Sequence, residues 1–247
     1  MASPPPTSNP TNHPITLRLP SKYSSPTTSP SPGSTTGTSP GPGPGPFTPP
    51  PLSFLHRTWT VTHSTLSMWR AARNVRITYG PLPSSSWSSS SGHHHMPPRM
   101  SDLVEYESLS SSKSNSSVKR VSGVDTASGS GSGSDNTGEW DWRGSGLLFF
   151  VRSHWEVLGW GERMVLGDEG EGGQEQVERW VVTWFAPTIF TAEGIDVYSD
   201  RREGGSEALV REVMEELKRV VQGSGKLAEM VEKEMREVAV SLPWREK

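Results

Sequence analysis

The sequence predicts an all-β domain with C-terminal helices: an eight- to nine-stranded antiparallel up-and-down barrel followed by two amphipathic helices. Three observations predict it. From Thr58 onward the chain is a series of short runs rich in Val, Ile, Thr, Trp and Tyr, separated by turn residues. Within those runs apolar and polar positions alternate, as in strands with one buried face. After Gly204-Gly205 the apolar period lengthens to three or four residues, the spacing of a helix. A sheet of this kind closes on itself or pairs with a second sheet to hide its edges, so a β-sandwich is the competing architecture. About eight strands make a barrel wide enough for one small ligand.

The first segment carries no such pattern. Met1–Pro51 holds sixteen of the 22 prolines, with Ser, Thr and Gly filling most of the rest. So few apolar side chains cannot offset the entropy of ordering a backbone, and residues 1–51 read as a disordered leader. Its cations are Arg18 and Lys22, with Arg57 at the border, and the first carboxylate of the chain is Asp102. A targeting peptide can lack acids in this way, but prolines at this density forbid its amphipathic helix.

The barrel is expected over 52–222, with strands at Thr58–Thr65, Asn74–Gly80, Asp102–Leu109, Val118–Thr126, Glu139–Arg143, Gly146–Ser153, His154–Trp160, Arg179–Ala186 and Gly194–Ser199. Four low-complexity stretches, 84–100, 110–117, 127–138 and 167–178, lie between them and read as expanded surface loops, which the slow growth of loop-closure entropy permits. Ser206 is the predicted N-cap of the first helix, whose stripe runs Val210, Val213, Met214, Leu217, Val220 and Val221 until Gly223 stops it. Leu227, Met230, Val231, Met235 and Val238 mark a second amphipathic helix in the C-terminal unit 223–247. Both stripes are expected on the outside of the sheet.

Several chemistries are excluded at the outset. The chain has no cysteine, which removes disulfides, thiolate metal sites, redox pairs and a cysteine nucleophile, and fits a cytoplasmic, reducing compartment. No run approaches the roughly 18 apolar residues of a membrane span. Nucleic acid is disfavoured by the net charge of -3 and by a C-terminal region in which ten bases balance ten acids. No metal or cofactor is expected: His93-His94-His95 lacks a carboxylate or further His beside it, and Gly129-Ser130-Gly131-Ser132-Gly133 only imitates a nucleophile elbow inside a flexible loop.

The candidate site residues come from face assignments. His63 shares a strand parity with Trp59 and Val61, which would point it into the barrel as a ligand-orienting or proton-transfer group; the plain alternative is a core His with a backbone or hydroxyl partner. His154 and Glu156 share a face and could form a general-base pair, unless Trp155 and Val157 face inward and leave them outside. Trp140 and Trp142 lie opposite Asp141 and Arg143, and either set could line the interior. The ligand-binding candidates are His63, Tyr79, Tyr106, Trp142 and Trp184.

Phe54-Leu55-His56-Arg57-Thr58-Trp59-Thr60-Val61 at the first strand, and Gly194–Ser199 running into Asp200-Arg201-Arg202 and then a helix, resemble the lipocalin family of the calycin superfamily. Arg57 stands where lipocalins have the Gly of their Gly-x-Trp. The resemblance implies that Trp59 closes one end of the barrel beneath Arg201 or Arg202. The run His154–Leu158 with Arg179–Phe185 is also similar to the lipocalin domain of violaxanthin de-epoxidases, although Leu66–Arg73 here has neither Asp nor Cys, so that activity is not expected. The leader and the Ser/Gly insertions resemble an uncharacterised fungal branch. These readings lead to a binding protein for a small apolar or aromatic molecule. The alternatives are a calycin-type isomerase or cyclase using His63 or His154–Glu156, and a non-catalytic module acting through its Pro-rich tail.

Overall fold

In the computed structural model, which describes residues 14–24, 47–82, 97–110, 117–128, 138–166 and 175–244, eight strands follow one another around a closed barrel. They are β1 (Thr58–Ser64), β2 (Ala72–Pro81), β3 (Arg99–Ser108), β4 (Val118–Ser128), β5 (Glu139–Gly144), β6 (Arg152–Leu166), β7 (Glu175–Phe185) and β8 (Gly194–Ser199). Each pairs antiparallel with its sequence neighbours, and β8 returns to β1 to close the ring. A short helix α1 (Leu52–Leu55) precedes β1. Helices α2 (Glu207–Val221) and α3 (Lys226–Glu234) follow β8, and a two-residue strand β9 (Arg236–Glu237) joins the outer edge of β1. No described helix is long and apolar enough to cross a membrane.

Two apolar layers hold this arrangement. The inner layer lines the barrel interior with Trp59, Val61, Val75, Ile77, Tyr79, Met100, Trp140, Trp155, Val157, Val181 and Tyr198. The outer layer lies between β7–β8 and the helices: Trp180, Val182, Trp184, Ile195 and Val197 meet Leu209, Val213, Leu217 and Val221 of α2 and Leu227 and Val231 of α3. Strand parity explains the division, since successive residues of β7 point alternately to the two layers. Ser206 caps α2 as expected, its hydroxyl accepting from the Leu209 amide.

Four expectations change. Gly146–Ser153 is not a strand: Gly146 adopts a positive φ of 60°, a 3-10 turn follows over Gly146–Leu148, and the next strand starts at Arg152 and absorbs His154–Trp160. The second helix ends at Glu234, because Met235 turns extended and the Val238 amide donates to the Thr62 carbonyl (2.8 Å), drawing this segment onto β1. Parts of the expected insertions, residues 99–100, 127–128 and 175–178, belong to strands. Residues 14–24 of the expected leader lie against the outer wall of the barrel, where Leu17 is buried beside Leu158 and the Arg18 amide donates to the Leu158 carbonyl (2.8 Å). The apolar alternation Ile15-x-Leu17-x-Leu19 supplies one face for that contact, and Gly159 makes room: a Cβ there would lie 2.2 Å from Leu17. His93–His95 and Gly129–Gly133 lie outside the described residues.

Candidate functional site

The barrel has one closed end and one end bearing four loops. At the closed end α1 lies under Trp59, whose indole N–H donates to the Leu55 carbonyl (3.0 Å), while Phe54 meets Trp160 edge to face at 4.6 Å. The cation over Trp59 is Arg57, 5.4 Å from the ring and 5.1 Å from Phe54, with Asp200 3.5 Å away. Arg201 instead pairs with Glu203 (2.5 Å) and approaches Glu178 (3.9 Å), and Arg202 lies over Trp244 at 5.3 Å. The closing cation is therefore the residue that replaces the expected glycine.

His63 is not inside the barrel. Between Val61 and His63 the register of β1 slips against β8, so Val61 faces Tyr198 while His63 faces Val197 of the outer layer. The extra residue, Thr62, donates its hydroxyl to the Val197 carbonyl at 3.0 Å. Such a bulge reverses the parity of everything beyond it. His63 consequently lines a recess of about 470 Å³ on the outer wall with Glu203, Glu207 and Glu237. Burial pushes its pKa down, with Glu237 opposing. The inward position goes to Ser64, which donates to Asp196 at 2.5 Å.

His154 and Glu156 are also outside, because Trp155 and Val157 face in. They form an ionic latch rather than a base poised for a substrate. His154 Nδ1 lies 2.9 Å from Asp141 and Nε2 3.7 Å from Glu156; Glu156 and Asp141 together raise the imidazole to about 9 against the opposing effect of burial. Glu156 is fully buried beneath residues 18–21 and accepts from the Ser21 amide (3.0 Å) and hydroxyl (2.5 Å), with Arg18 at 2.8 Å. Burial alone would raise its pKa, but His154, Ser21 and Arg18 together hold it at about 2. Trp184, expected to contact ligand, lies in the outer layer and donates to Glu193 (2.9 Å), a second buried carboxylate that also receives the Tyr23 hydroxyl (2.7 Å).

The barrel interior gathers other residues. Trp140 and Trp155 stack at 5.8 Å, and Tyr79 also stacks on Trp155, at 5.6 Å. Trp140 and Trp142 take the inward parity of β5, leaving Asp141 and Arg143 outside, and Trp142 lies over Gly123, where a Cβ would be 2.2 Å from the indole nitrogen. Tyr106 is near the loop-bearing end, edge to face with Trp69 at 5.4 Å.

Three aspartates project among these rings. Asp102 stands opposite Tyr79, and Asp125 opposite both Met100 and Trp142. Asp125 accepts the Trp155 indole N–H at 2.8 Å. Burial and the neighbouring Asp125 push Asp102 well above the usual carboxylate range; burial raises Asp125 to about 7 against the Trp155 hydrogen bond, and raises Asp196 to about 7. Asp102 Oδ1, Asp125 Oδ2 and Trp140 Nε1 are buried without a hydrogen-bond partner among the described residues. The signal for these acids was in the alternation Met100-x-Asp102-x-Val104-x-Tyr106, where an aspartate takes an apolar position. Asp196 shares the inward parity of Tyr198 along β8, whose neighbours Ile195 and Val197 face the outer layer. Among the described residues no group of three potential metal ligands occurs.

No protein-family model matches the chain, and no curated protein does. Among solved structures it is similar to apocrustacyanin C1 (8% identity, 76% of this chain and 78% of that one, TM-score 0.39). Lobster apocrustacyanin A1 matches at 7% identity over 76% and 79% of the two chains with a TM-score of 0.37, and apocrustacyanin C2 at 6% over 76% and 78% with a TM-score of 0.37.

Proposed function

We propose that the barrel takes up one small, largely apolar or aromatic molecule, held between its inner aromatic walls and oriented by a hydrogen-bond donor that meets Asp102 and Asp125. The observation that carries this is the unanswered polarity of the interior. A core of filler side chains leaves few buried polar atoms without partners, yet Asp102 Oδ1, Asp125 Oδ2 and Trp140 Nε1 lie buried among stacked rings with no partner among the described residues. A ligand with a flat body and a donor would satisfy both the rings and the acids. Tyr79, Tyr106 and Trp142 remain its proposed wall; His63 and Trp184 are not part of it. The isomerase or cyclase alternative loses its acid–base candidates to the outer wall, and the violaxanthin de-epoxidase likeness contributes no activity. Cytoplasmic residence and independence from nucleic acid belong to the same proposal.

The test is native mass spectrometry of the full chain purified gently from its own cells, followed by tryptophan quenching with the compound found. The expected result is a co-purified molecule that quenches the indoles and binds at least tenfold more weakly to Asp102→Asn/Asp125→Asn. An empty mass, with no quenching across fatty acids, terpenoids and polyketides, would refute the proposal.

A further inference from the structure

The large apolar side chains left in solvent are concentrated at one end of the molecule. Antiparallel order places the β1–β2, β3–β4, β5–β6 and β7–β8 loops together at the end opposite α1. Among the described residues, every large exposed hydrophobic side chain except Leu242 falls on these four loops: Met68 on the first, Leu109 at the start of the second, Leu147, Phe149 and Phe150 on the third, Ile189 and Phe190 on the fourth. Exposure is extensive, reaching 92% for Leu147 and 78% for Ile189. The loops also touch: Phe150 and Phe190 meet at 6.4 Å across the third and fourth, and the Leu109 amide donates to the Ala71 carbonyl at 2.8 Å across the first and second. Single exposed hydrophobes need no explanation, but a clustered set of this size marks a contact surface.

Charge identifies the contact. At the strand ends behind the loops stand the exposed cations Lys119, Arg143 and Arg152. Arg143 also donates to the Phe149 carbonyl at 3.0 Å, holding the third loop in place. The carboxylate of the fourth loop, Glu193, is buried and occupied by Tyr23, Trp184 and Lys226. The exposed acids around this end are Glu234 of α3, which faces Arg70, Glu237 of β9, opposite His63, and Asp141 of β5, which His154 faces at 2.9 Å. Apolar and aromatic tips in front, with cations one step behind, match the acyl boundary and phosphate layer of a membrane surface. Recesses among the described residues around His63, and around Trp244 with Arg76 and Arg202, lie elsewhere.

We infer that this end of the barrel docks on an anionic lipid bilayer, with Leu147, Phe149, Phe150, Ile189 and Phe190 entering the acyl boundary and Arg152 and Lys119 facing headgroup phosphates. The inference does not depend on what the barrel binds.

Its test is co-sedimentation of the full chain with vesicles of phosphatidylcholine, alone or with one-third phosphatidylglycerol. Three proteins are compared: the wild type, Phe149→Ser/Phe150→Ser/Phe190→Ser, and Lys119→Glu/Arg152→Glu, each checked for native circular dichroism. The expected result is binding to the anionic vesicles that falls with salt and drops at least tenfold in each variant. Absence of wild-type binding, or undiminished binding by both folded variants, overturns the inference. So does self-association in gel filtration that the triple serine variant abolishes while vesicles bind neither protein, because the surface would then belong to a second copy. Should the triple variant misfold, Leu147→Ser/Ile189→Ser replaces it, and the charge-reversal arm decides independently.

Discussion

Replacing Glu156 with Ala should free residues 14–24 from the barrel wall. The carboxylate is fully buried, receives both the amide and the hydroxyl of Ser21, and lies 2.8 Å from Arg18. Hydrogen bonds to a charged group contribute roughly 1.5–3 kcal/mol each in net terms. Part of the Arg18 interaction is recovered from water, because that side chain is 22% exposed. A loss of about 2–3 kcal/mol in local stability follows, or roughly 30- to 150-fold in the population of the detached segment. Tryptic cleavage after Arg18 and Lys22 reads that population directly when opening is fast relative to cutting.

The same latch has a definite pH window. Glu156 is held at about 2, below its ordinary value of 4.5, so its contribution is complete above 4.5 and disappears as pH falls toward 2. His154 is raised to about 9 from 6.5, so its contribution is complete below 6.5 and disappears as pH rises through 9. Protection from trypsin should therefore be greatest between about pH 4.5 and 6.5 and decline toward pH 9 in the wild type. Glu156→Ala should be cut rapidly throughout. Equal cleavage rates in the two proteins at pH 6 would refute the latch.

Other substitutions test the barrel itself. Arg57→Ala removes the cation over Trp59 and Phe54 and should cost about 1–2 kcal/mol in urea unfolding, whereas Arg201→Ala, whose partner Glu203 is half-exposed, should cost under about 1 kcal/mol; a larger effect at Arg201 would return the closing role to it. Asp125 and Asp196, both raised to about 7, are neutral at low pH and costly once charged, so barrel stability should fall as pH rises from about 4 through 7. Asp125→Asn/Asp196→Asn should flatten that slope in chemical denaturation, and an unchanged slope would count against the buried acids. Ser206→Ala removes the α2 cap and the hydroxyl that donates to Glu178 (2.7 Å) and accepts from Arg163 (2.9 Å). Thermal unfolding should register about 1–2 kcal/mol.

The sequence by itself determined the β-meander, the change of period at Ser206 and the α2 stripe, because each is written in local spacing that folding does not alter, whereas the second stripe ran on past Glu234 into a segment that β1 draws out of the helix. Gly194–Ser199 was legible to the residue, and the alternation along 179–186 correctly divided β7 into two faces. Side assignment was a different matter. One extra residue at Thr62 moved His63 to the outer wall and put Ser64 beside Asp196, and a second bulge at Leu158 turned Gly159 outward under Leu17 and Trp160 toward the inner layer. A bulge leaves no reliable mark in composition, yet it inverts the parity on which every face assignment beyond it rests. The seat of residues 14–24 was equally a tertiary matter: eleven residues with Ile15, Leu17 and Leu19 as their aliphatic side chains have no fold of their own, and only the groove over Gly159 with the buried carboxylates of Glu156 and Glu193 gives them a partner. The interior acids needed both kinds of information, since alternation points Asp102 and Asp125 inward but only the closed barrel buries them beside each other.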